Sequence, residues 1–294
     1  MTRLHLVDGT YELYRAHFAP RPDHFAPAGW DAKATVGVAG SLLSLLNDPD
    51  EAVTHIAVAF DNPIRSFRND LFDPYKSDEG VPPELRAQFD TVEAAVRALG
   101  VTVWSMREWE ADDALATGAR KFVDQVDQVR IMTPDKDLGQ CLRGERVVQI
   151  DRRQRKLTDE ATFRANKGFG PASVPDFLAL TGDTADGIPG LDGFGDKSAG
   201  LLIGAYEHIE AIPDRADAWT VKPRGAMNLA ATLAAHREEA LFYRKLATLV
   251  DTVPLTETLE DLRYRGTPRA AFDSWCGEVG ATTVRTMPRV WIDG

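Results

Sequence analysis

The chain has 294 residues, 44% of them hydrophobic, which suffices for one large domain or two modest ones with a packed core. The formal net charge of −11 would argue against a nucleic-acid partner only if the charge were evenly spread. No apolar run approaches the roughly 18 residues of a membrane span, the N-terminus has no signal-peptide core, and Cys141 and Cys276 show no metal-ligand spacing. We therefore expect a cytoplasmic protein with reduced thiols that does not associate with membranes.

The first half of the chain alternates between short apolar runs and longer stretches with helical spacing. This pattern predicts strands at 4–7, 55–60, 101–104, 129–132 and 147–150, and helices at 32–46, 83–99 and 110–124. Such alternation is typical of a mostly parallel sheet covered by helices. The sequence thus predicts an α/β domain over residues 1–172.

The pattern changes after about residue 170. A predicted helix over 174–182 ends at Gly182 and is followed by a Gly-rich stretch over 182–206. The remainder is predicted to be helical with polar loops, including 214–225. We expect residues 173–294 to form a second, helical domain.

Nine carboxylates recur in five short segments, mostly where a predicted strand or helix meets a turn. They are Asp8, Asp61, Glu110, Asp112, Asp113, Asp135, Asp137, Asp183 and Asp186. Three of them directly follow strands, at the edge where open parallel sheets gather ligands. Carboxylates that converge need a counter-charge, and hard divalent cations with oxygen ligands supply it. The pattern indicates a metal-dependent site that handles phosphate.

Each acidic motif also has a structural interpretation. Acids at the start of the helix over 110–124 are common N-caps, and an Asp-rich turn explains TPDKD (133–137). Asp8 with Gly9 can simply open a turn, and Lys136 fits either a surface position or a phosphate contact. The metal interpretation rests on the clusters taken together, because three acids within four residues exceed what a cap needs.

Two further stretches carry candidate binding residues. GIPGLDGFGDKSAGLLI (187–203) has the spacing of a helix-hairpin-helix, whose small residues let a DNA backbone approach main-chain N–H groups. The alternative is a plain Gly-rich turn between helices. In residues 62–80, Arg65, Arg68, Tyr75 and Lys76 follow Asp61, where cations can either steady the acids or grip a phosphate, and an aromatic can stack on a base.

Five motifs in this order resemble the bacterial 5′-3′ exonuclease and flap endonuclease family, which includes the N-terminal nuclease domain of DNA polymerase I. The resemblance covers about residues 3–250. It is carried by LVDGTYELYRAHFAP, FDNPIRSFRNDLFDPYK, EADDALATGA, TPDKDL and FLALTGDTADGIPGLDGFGDKSA. It implies a PIN-like α/β nuclease domain with a mostly parallel central sheet, a helical arch above the site, and a C-terminal helical domain with a helix-hairpin-helix.

The resemblance also implies a two-metal hydrolysis with Mg²⁺ or Mn²⁺, because all nine acidic positions of the family are filled. Asp8, Asp61, Glu110, Asp112 and Asp113 would hold one ion, and Asp135, Asp137, Asp183 and Asp186 the other. A monovalent cation, K⁺, is expected at the helix-hairpin-helix.

Roles for other residues follow from the same resemblance. Lys76, with Arg68 in support, would contact the scissile phosphate, and Tyr75 would stack on a frayed base. The expected DNA-binding residues are Arg15, Arg65, Gly193, Gly195, Lys197 and Ser198. One position departs from the family: Glu79 stands where YKxxR has its Arg, and an acid there should repel a 5′ single strand.

The expected protein is a free-standing, monomeric nuclease of DNA replication and repair that acts on 5′ flaps, nicks or 5′-ended duplexes. Two alternatives stay open, a non-catalytic binder of branched DNA and a PIN-type ribonuclease. The helix-hairpin-helix, which suits duplex DNA, argues against the ribonuclease.

Overall fold

The structure, a computed structural model, describes residues 1–293. Its strands are β1 (Arg3–Asp8), β2 (His55–Asp61), β3 (Thr102–Met106), β4 (Gln128–Met132), β5 (Val147–Asp151), β6 (Lys156–Thr158), β7 (Thr267–Pro268) and β8 (Trp291–Ile292). Its α-helices are α1 (Gly9–Phe18), α2 (Lys33–Leu46), α3 (Phe67–Leu71), α4 (Pro83–Arg86), α5 (Phe89–Ala98), α6 (Ala111–Phe122), α7 (Glu160–Lys167), α8 (Val174–Thr181), α9 (Asp196–Tyr206), α10 (Ala226–Ala247), α11 (Arg269–Val279) and α12 (Thr282–Arg285). Short 3-10 helices lie at Val123–Gln125, Asp137–Cys141, Pro171–Ser173, Ile209–Ala211, Ala216–Ala218 and Glu260–Leu262. The five predicted strands are all present.

The chain forms two compact units that do not follow the predicted boundary at residue 172. Unit 1 contains Met1–Ser66, Asp78–Thr133 and the residues from Asp251 onward, whereas unit 2 contains Phe67–Ser77 and Pro134–Val250. The final segment belongs to unit 1 because α11 packs against α5 and α12 packs against α2. Tertiary packing of this kind joins segments that are distant in sequence, which a change of composition along the chain does not reveal.

Unit 1 is built on parallel strands in the order β3-β2-β1-β4. Every residue of β2 is buried, as is nearly all of β1, which explains why these strands are continuous apolar runs and not alternating ones. Asp8 is in register with Ala59, so Asp8 and Asp61 end neighbouring strands that point the same way. The sheet therefore delivers both carboxylates to one edge.

Two helical features of unit 1 differ from the sequence prediction. Helix α1, which was not predicted, follows β1 directly with Asp8 as its N-cap. The helix predicted over 83–99 is divided into α4 and α5 at Ala87 and Gln88. Gln88 is fully buried, and its Oε1 accepts hydrogen bonds from the N–H and Oγ1 of Thr35, at 3.0 and 3.1 Å. The break thus coincides with a buried side-chain contact between α2 and the residue before α5.

Unit 2 has a hydrophobic core formed mainly by α8, α9 and α10, and its strands β5 and β6 pair as an antiparallel hairpin. Of the helix-hairpin-helix predicted within 187–203, the structure contains the second helix, α9, whereas residues 187–192 before the turn are not helical. The α-helix that precedes the turn is α8, which ends at Thr181. Across residues 1–293, each helix is too short or too polar to cross a bilayer.

Candidate metal centre

Asp8 and Asp61 are held by hydrogen bonds at the carboxyl edge of the unit 1 sheet. Asp8 Oδ1 accepts from the Tyr11 N–H at 2.8 Å, and its Oδ2 accepts from Thr133 Oγ1 at 3.0 Å. Asp61 Oδ1 accepts from the Ala111 N–H at 2.7 Å, at the first residue of α6. Both side chains are buried. Thr133, the first residue of TPDKD, was not among the predicted site residues, although it lay inside a motif that was singled out.

The acids at the start of α6 do form a cap. The Glu110 N–H donates to Asp113 Oδ2 at 3.1 Å, and Ser66 Oγ donates to Glu110 Oε1 at 2.7 Å. Glu110 and Asp113 are buried, whereas Asp112 is half-buried. Burial of two carboxylates in one helical turn goes beyond the requirements of a cap, which is usually a surface feature. Unit 1 therefore carries a predicted metal-binding group that also organises its own helix.

In unit 2 the carboxylates of Asp137, Asp183 and Asp186 converge. One oxygen from each lies within 4.8 Å of the others, and Asp137 and Asp183 are buried. Asp135, also predicted as a ligand, is exposed, and its Oδ1 accepts from the Asp137 N–H at 2.9 Å. Its contribution in this structure is to fix the turn that presents Asp137.

A tight loop presents Asp183 and Asp186. The backbones of Asp183 and Ile188 exchange two hydrogen bonds of 2.8 Å, and Asp183 Oδ1 accepts from the Ala185 N–H at 3.0 Å. Gly187 has a φ of +71°, in the left-handed region that favours glycine. A Cβ on Gly187 would lie 2.4 Å from the Pro74 carbonyl oxygen, so this close approach also requires a glycine. We call residues 183–188 the acid loop.

The electrostatics of the unit 2 group favour a bound cation. Burial, followed by the charges of Asp135, Asp186 and Asp183, raises the pKa of Asp137 well above its ordinary value. Among the described residues, Asp137 Oδ1 is buried with no hydrogen-bond partner. An anionic oxygen in that state is costly unless a cation coordinates it. The donor set of carboxylate oxygens fits a hard divalent ion such as Mg²⁺ or Mn²⁺.

Lys136 supplies part of the counter-charge. Its Nζ lies 2.9 Å from Asp183 Oδ2. Burial alone would lower the pKa of Lys136, but the hydrogen bond to Asp183 and the charges of Asp183, Asp137 and Asp135 raise it. Of the two roles considered for Lys136, the structure shows an ion pair within the acid cluster.

The position of Tyr75 does not support the predicted stacking role. Its side chain is 3% exposed and packs in the hydrophobic core of unit 2. Its hydroxyl donates to Asp186 Oδ2 at 3.2 Å. A ring that is buried on its own chain has no face to offer a base. The adjacent Lys76 is half-buried, and its N–H donates to the Asp186 carbonyl at 3.0 Å.

The Arg68 side chain is likewise enclosed by the protein. It is 1% exposed, its Nε donates to the Leu246 carbonyl at 2.8 Å and its Nη2 to the Thr248 carbonyl at 2.9 Å. These carbonyls lie at the C-terminal end of α10, where orphan acceptors and the helix dipole favour a cation. Arg68 therefore has a structural role in unit 2, and its predicted support of catalysis stays a prediction.

The remaining predicted DNA-binding residues fall into two groups. Arg15 forms an ion pair with the buried Glu12 and donates to Ser41 Oγ at 2.7 Å, whereas Arg65 is exposed. At the start of α9, Gly193, Gly195 and Lys197 are exposed. The Gly195 N–H donates to Ser198 Oγ at 3.1 Å, so the Ser198 side chain satisfies one backbone donor at the start of this helix.

Comparisons with known proteins agree with this architecture. Residues 3–168 match the family model described as "5'-3' exonuclease, N-terminal resolvase-like domain", and residues 169–270 match "5'-3' exonuclease, C-terminal SAM fold". The chain is 33% identical to a 5'-3' exonuclease of Bacillus subtilis over 267 residues, which covers 89% of this chain and 88% of the relative.

The chain is also 37% identical to DNA polymerase I of Pseudomonas aeruginosa over 268 residues, or 90% of this chain. It spans only 29% of the length of that relative. Among solved structures, the T5 D15 protein co-crystallised with metal ions aligns with a TM-score of 0.64 and 19% identity, covering 85% of this chain and 89% of that one. The catalytic core of Rad2 in complex with DNA substrate aligns with a TM-score of 0.64 and 13% identity, covering 97% and 90%.

The two structural likenesses establish the fold, a PIN-like α/β domain with a helical C-terminal part, and confirm the predicted fold class. The family models and the Bacillus subtilis relative establish descent. Together with five acidic motifs in the expected order, they confirm the resemblance drawn from the sequence: this chain belongs to the 5′-3′ exonuclease family.

Proposed function

We propose that this protein is a divalent-metal-dependent nuclease that hydrolyses DNA phosphodiester bonds at 5′ ends or 5′ flaps. The observation that carries the proposal is the convergence of Asp137, Asp183 and Asp186 beside a buried carboxylate oxygen without a protein partner. Membership of the 5′-3′ exonuclease family supports the reaction class. Relatives of the same fold, crystallised with metal ions or with DNA substrate, support the metal and the polymer.

The carboxylates would hold two divalent ions, Mg²⁺ or Mn²⁺. Asp135, Asp137, Asp183 and Asp186 would hold one, with Asp135 also fixing the turn that presents Asp137. The second ion would be held by the unit 1 group. That group comprises Asp8, Asp61, Glu110, Asp112 and Asp113. Ions in such sites polarise a phosphate and lower the pKa of a bound water. A monovalent K⁺ is proposed at the turn through Gly193 and Gly195.

The chain's own residues bind and orient the DNA. The Lys76 backbone is fixed to the acid loop, so its ammonium can balance charge on a phosphate that approaches the acids. The exposed turn at Gly193, Gly195 and Lys197 offers main-chain N–H groups and a cation to the backbone of a duplex. Arg15 and Arg65 are proposed to assist in DNA binding from unit 1.

We assign the nuclease role to residues 1–172, to which Asp183 and Asp186 add metal ligands, and the duplex-holding role to the rest of residues 173–294. The protein is proposed to act as a cytoplasmic monomer in DNA replication and repair, on 5′ flaps, nicks and 5′-ended duplexes. Glu79, exposed after the Lys76 segment, is expected to disfavour threading of a 5′ single strand. Trimming of short 5′ ends should then exceed cutting of long flaps.

The test is a product ladder from end-labelled flap and nicked duplexes in Mg²⁺ or Mn²⁺, with the wild type and Asp135→Asn. An Asn Oδ1 can still accept from the Asp137 N–H, so the substitution removes charge and keeps the turn. Turnover should fall on the order of 100-fold with little change in DNA affinity. Glu238→Gln, a neutralisation at an exposed position of α10, is the matched control and should cleave like the wild type. Unchanged turnover in Asp135→Asn would reject that residue's role.

Two other functions predict different results in the same assay. A non-catalytic binder of branched DNA would bind the flap substrate tightly in saturating Mn²⁺ without cleaving it. A PIN-type ribonuclease would cleave a matched RNA strand faster than DNA. The exposed turn through Gly193 and Gly195, which suits duplex DNA, argues against the ribonuclease.

A further inference from the structure

The segment Phe67–Ser77 is attached to the acid loop by both side-chain and main-chain contacts. The Tyr75 hydroxyl donates to Asp186 Oδ2 at 3.2 Å, and the Lys76 N–H donates to the Asp186 carbonyl at 3.0 Å. The same aspartate is thus held at its carboxylate and at its peptide group by consecutive residues. Movement of either segment relative to the other would break these two hydrogen bonds.

The other side of this segment is fixed as well. Asn69 is buried, and its Nδ2 donates to the carbonyls of Tyr75 and Lys76, each at 2.9 Å. The Tyr75 ring is enclosed in the hydrophobic core of unit 2. The absence of a side chain at Gly187 lets the Pro74 carbonyl approach the acid loop. Tyr75 is therefore anchored at its ring, its carbonyl and its hydroxyl.

A carboxylate that binds a metal ion has two oxygens, and its orientation depends on the partner of each. A hydrogen bond to one oxygen turns the other toward the ion, and loss of such a partner typically weakens metal binding by 10- to 100-fold. In this cluster Asp137 and Asp183 are buried, whereas Asp186 is half-buried and so has fewer packing restraints. The hydrogen bond from the Tyr75 hydroxyl adds a restraint on the Asp186 carboxylate beyond its packing.

We propose that Tyr75 is a positioning residue: its hydroxyl orients the Asp186 carboxylate for a divalent ion and, with the adjacent peptide group, keeps Lys76 in register with that ion. This role rests on the proposed metal-dependent function. It replaces the stacking role, and the two roles make opposite predictions. Tyr75→Phe keeps an aromatic ring for stacking and removes only the hydroxyl, so stacking predicts no effect and positioning predicts a loss.

The experiment measures Mn²⁺ affinity of the DNA-free protein by calorimetry, together with the melting transition in EDTA. Tyr75→Phe should bind Mn²⁺ about tenfold more weakly at one site, with a cooperative melt like that of the wild type. Tyr206→Phe is the matched control. It removes another tyrosine hydroxyl of unit 2, one that accepts from the Thr220 N–H at 2.7 Å, and should leave Mn²⁺ affinity unchanged.

Equal Mn²⁺ affinity in Tyr75→Phe and the wild type would overturn the proposal, as would equal weakening in both tyrosine variants. If Tyr75→Phe does not melt cooperatively, Asn69→Ser, which removes the donors to the Tyr75 and Lys76 carbonyls, is measured in its place with the same expectation. Because the readout is metal binding without DNA, it remains decisive even if the wild type binds Mn²⁺ and fails to cleave. Mn²⁺ binding without cleavage would reject the proposed nuclease function and would leave the positioning role of Tyr75 to be decided by the Mn²⁺ affinities.

Discussion

Lys136 Nζ lies 2.9 Å from Asp183 Oδ2, so the acid cluster of unit 2 contains a cation of its own. The ammonium occupies one oxygen that a divalent ion would also use. Lys136 therefore stabilises the cluster when it lacks a metal ion and competes with an ion that binds there.

Lys136→Met should expose both effects. The side chain is 47% exposed, so the lost ion pair is expected to cost only about 0.5 to 1 kcal/mol of unfolding free energy in EDTA. In Mn²⁺ the variant should gain more stability than the wild type, because no lysine has to be displaced. Lys245→Met, at an exposed position of α10, is the control for loss of one positive charge. Identical behaviour of the two variants would contradict the competition.

A buried histidine within β1 predicts the acid sensitivity of the fold. His5 is fully buried, and its Nε2 donates to Glu51 Oε2 at 3.0 Å. Burial, which Glu51 only partly opposes, lowers the pKa of His5 below its ordinary 6.5, and the charges of Arg130 and Arg3 act in the same direction as burial. The unfolded chain thus takes up a proton at a higher pH than the folded chain.

The contribution of neutral His5 to the unfolding free energy is therefore fully present above pH 6.5 and decreases as the pH falls below that value. His5→Gln retains an amide donor and does not titrate, so urea unfolding should show a shallower loss of stability from about pH 6.5 to 5. Burial also lowers the pKa of His55. The unfolding free energy of His5→Gln should therefore still decrease somewhat as the pH falls. If the unfolding free energy of His5→Gln fell with pH as steeply as that of the wild type, His5 would not take up a proton on unfolding.

Asp176 and Glu210 bind the same arginine but should differ in their contribution to stability. Asp176 is 2% exposed, and its Oδ1 accepts from Arg244 Nη1 and from the Ile209 N–H, both at 3.0 Å. The Glu210 side chain is 51% exposed and pairs with Arg244 at 2.6 Å.

Asp176→Asn breaks a buried charged contact and should lower the unfolding free energy by about 3 kcal/mol. Glu210→Gln breaks a solvent-exposed ion pair and should lower the unfolding free energy by less than about 1 kcal/mol. Urea unfolding of both variants measures the difference. Losses of equal size would mean that burial does not decide the strength of this network.

The exposed Lys197 at the start of α9 should contact a phosphate. Lys197→Ala is expected to weaken duplex binding for every sequence tested and to reduce the slope of log affinity against log salt by about 1. Fluorescence anisotropy over a salt series gives this slope, with Lys222→Ala, an exposed lysine in the 214–225 loop, as the control. A slope that does not change in Lys197→Ala would remove the residue from the interface.

The sequence predicted the strands and the acids at their ends because both depend on local patterns. The apolar runs that became β1 and β2 end directly at Asp8 and Asp61, and parallel strands place such residues at one edge. Helix α1 was missed because its buried face includes Glu12, a charged residue that breaks the apolar spacing. Its partner Ser41 lies on α2, beyond the reach of a local pattern.

The hydrogen-bond partners of Arg68 and Tyr75 could not be predicted for a related reason. Both residues lie in a segment rich in cationic and aromatic residues, a composition that is typical of a binding surface. Their partners, the carbonyls at the end of α10 and the Asp186 carboxylate, are far away in sequence. Composition identifies residue types, but only tertiary packing decides whether a cation meets a carbonyl or a phosphate.

Single-turnover cleavage of an end-labelled 5′-flap duplex, with Mn²⁺ added back after EDTA, tests the central claim most directly. The wild type should cut only after Mn²⁺ is restored. Asp137→Asn, which neutralises the buried carboxylate of the unit 2 cluster, should bind the substrate and cut it at least about 100 times more slowly. Cleavage that persists in EDTA, or wild-type rates in Asp137→Asn, would contradict a metal centre at Asp137, Asp183 and Asp186.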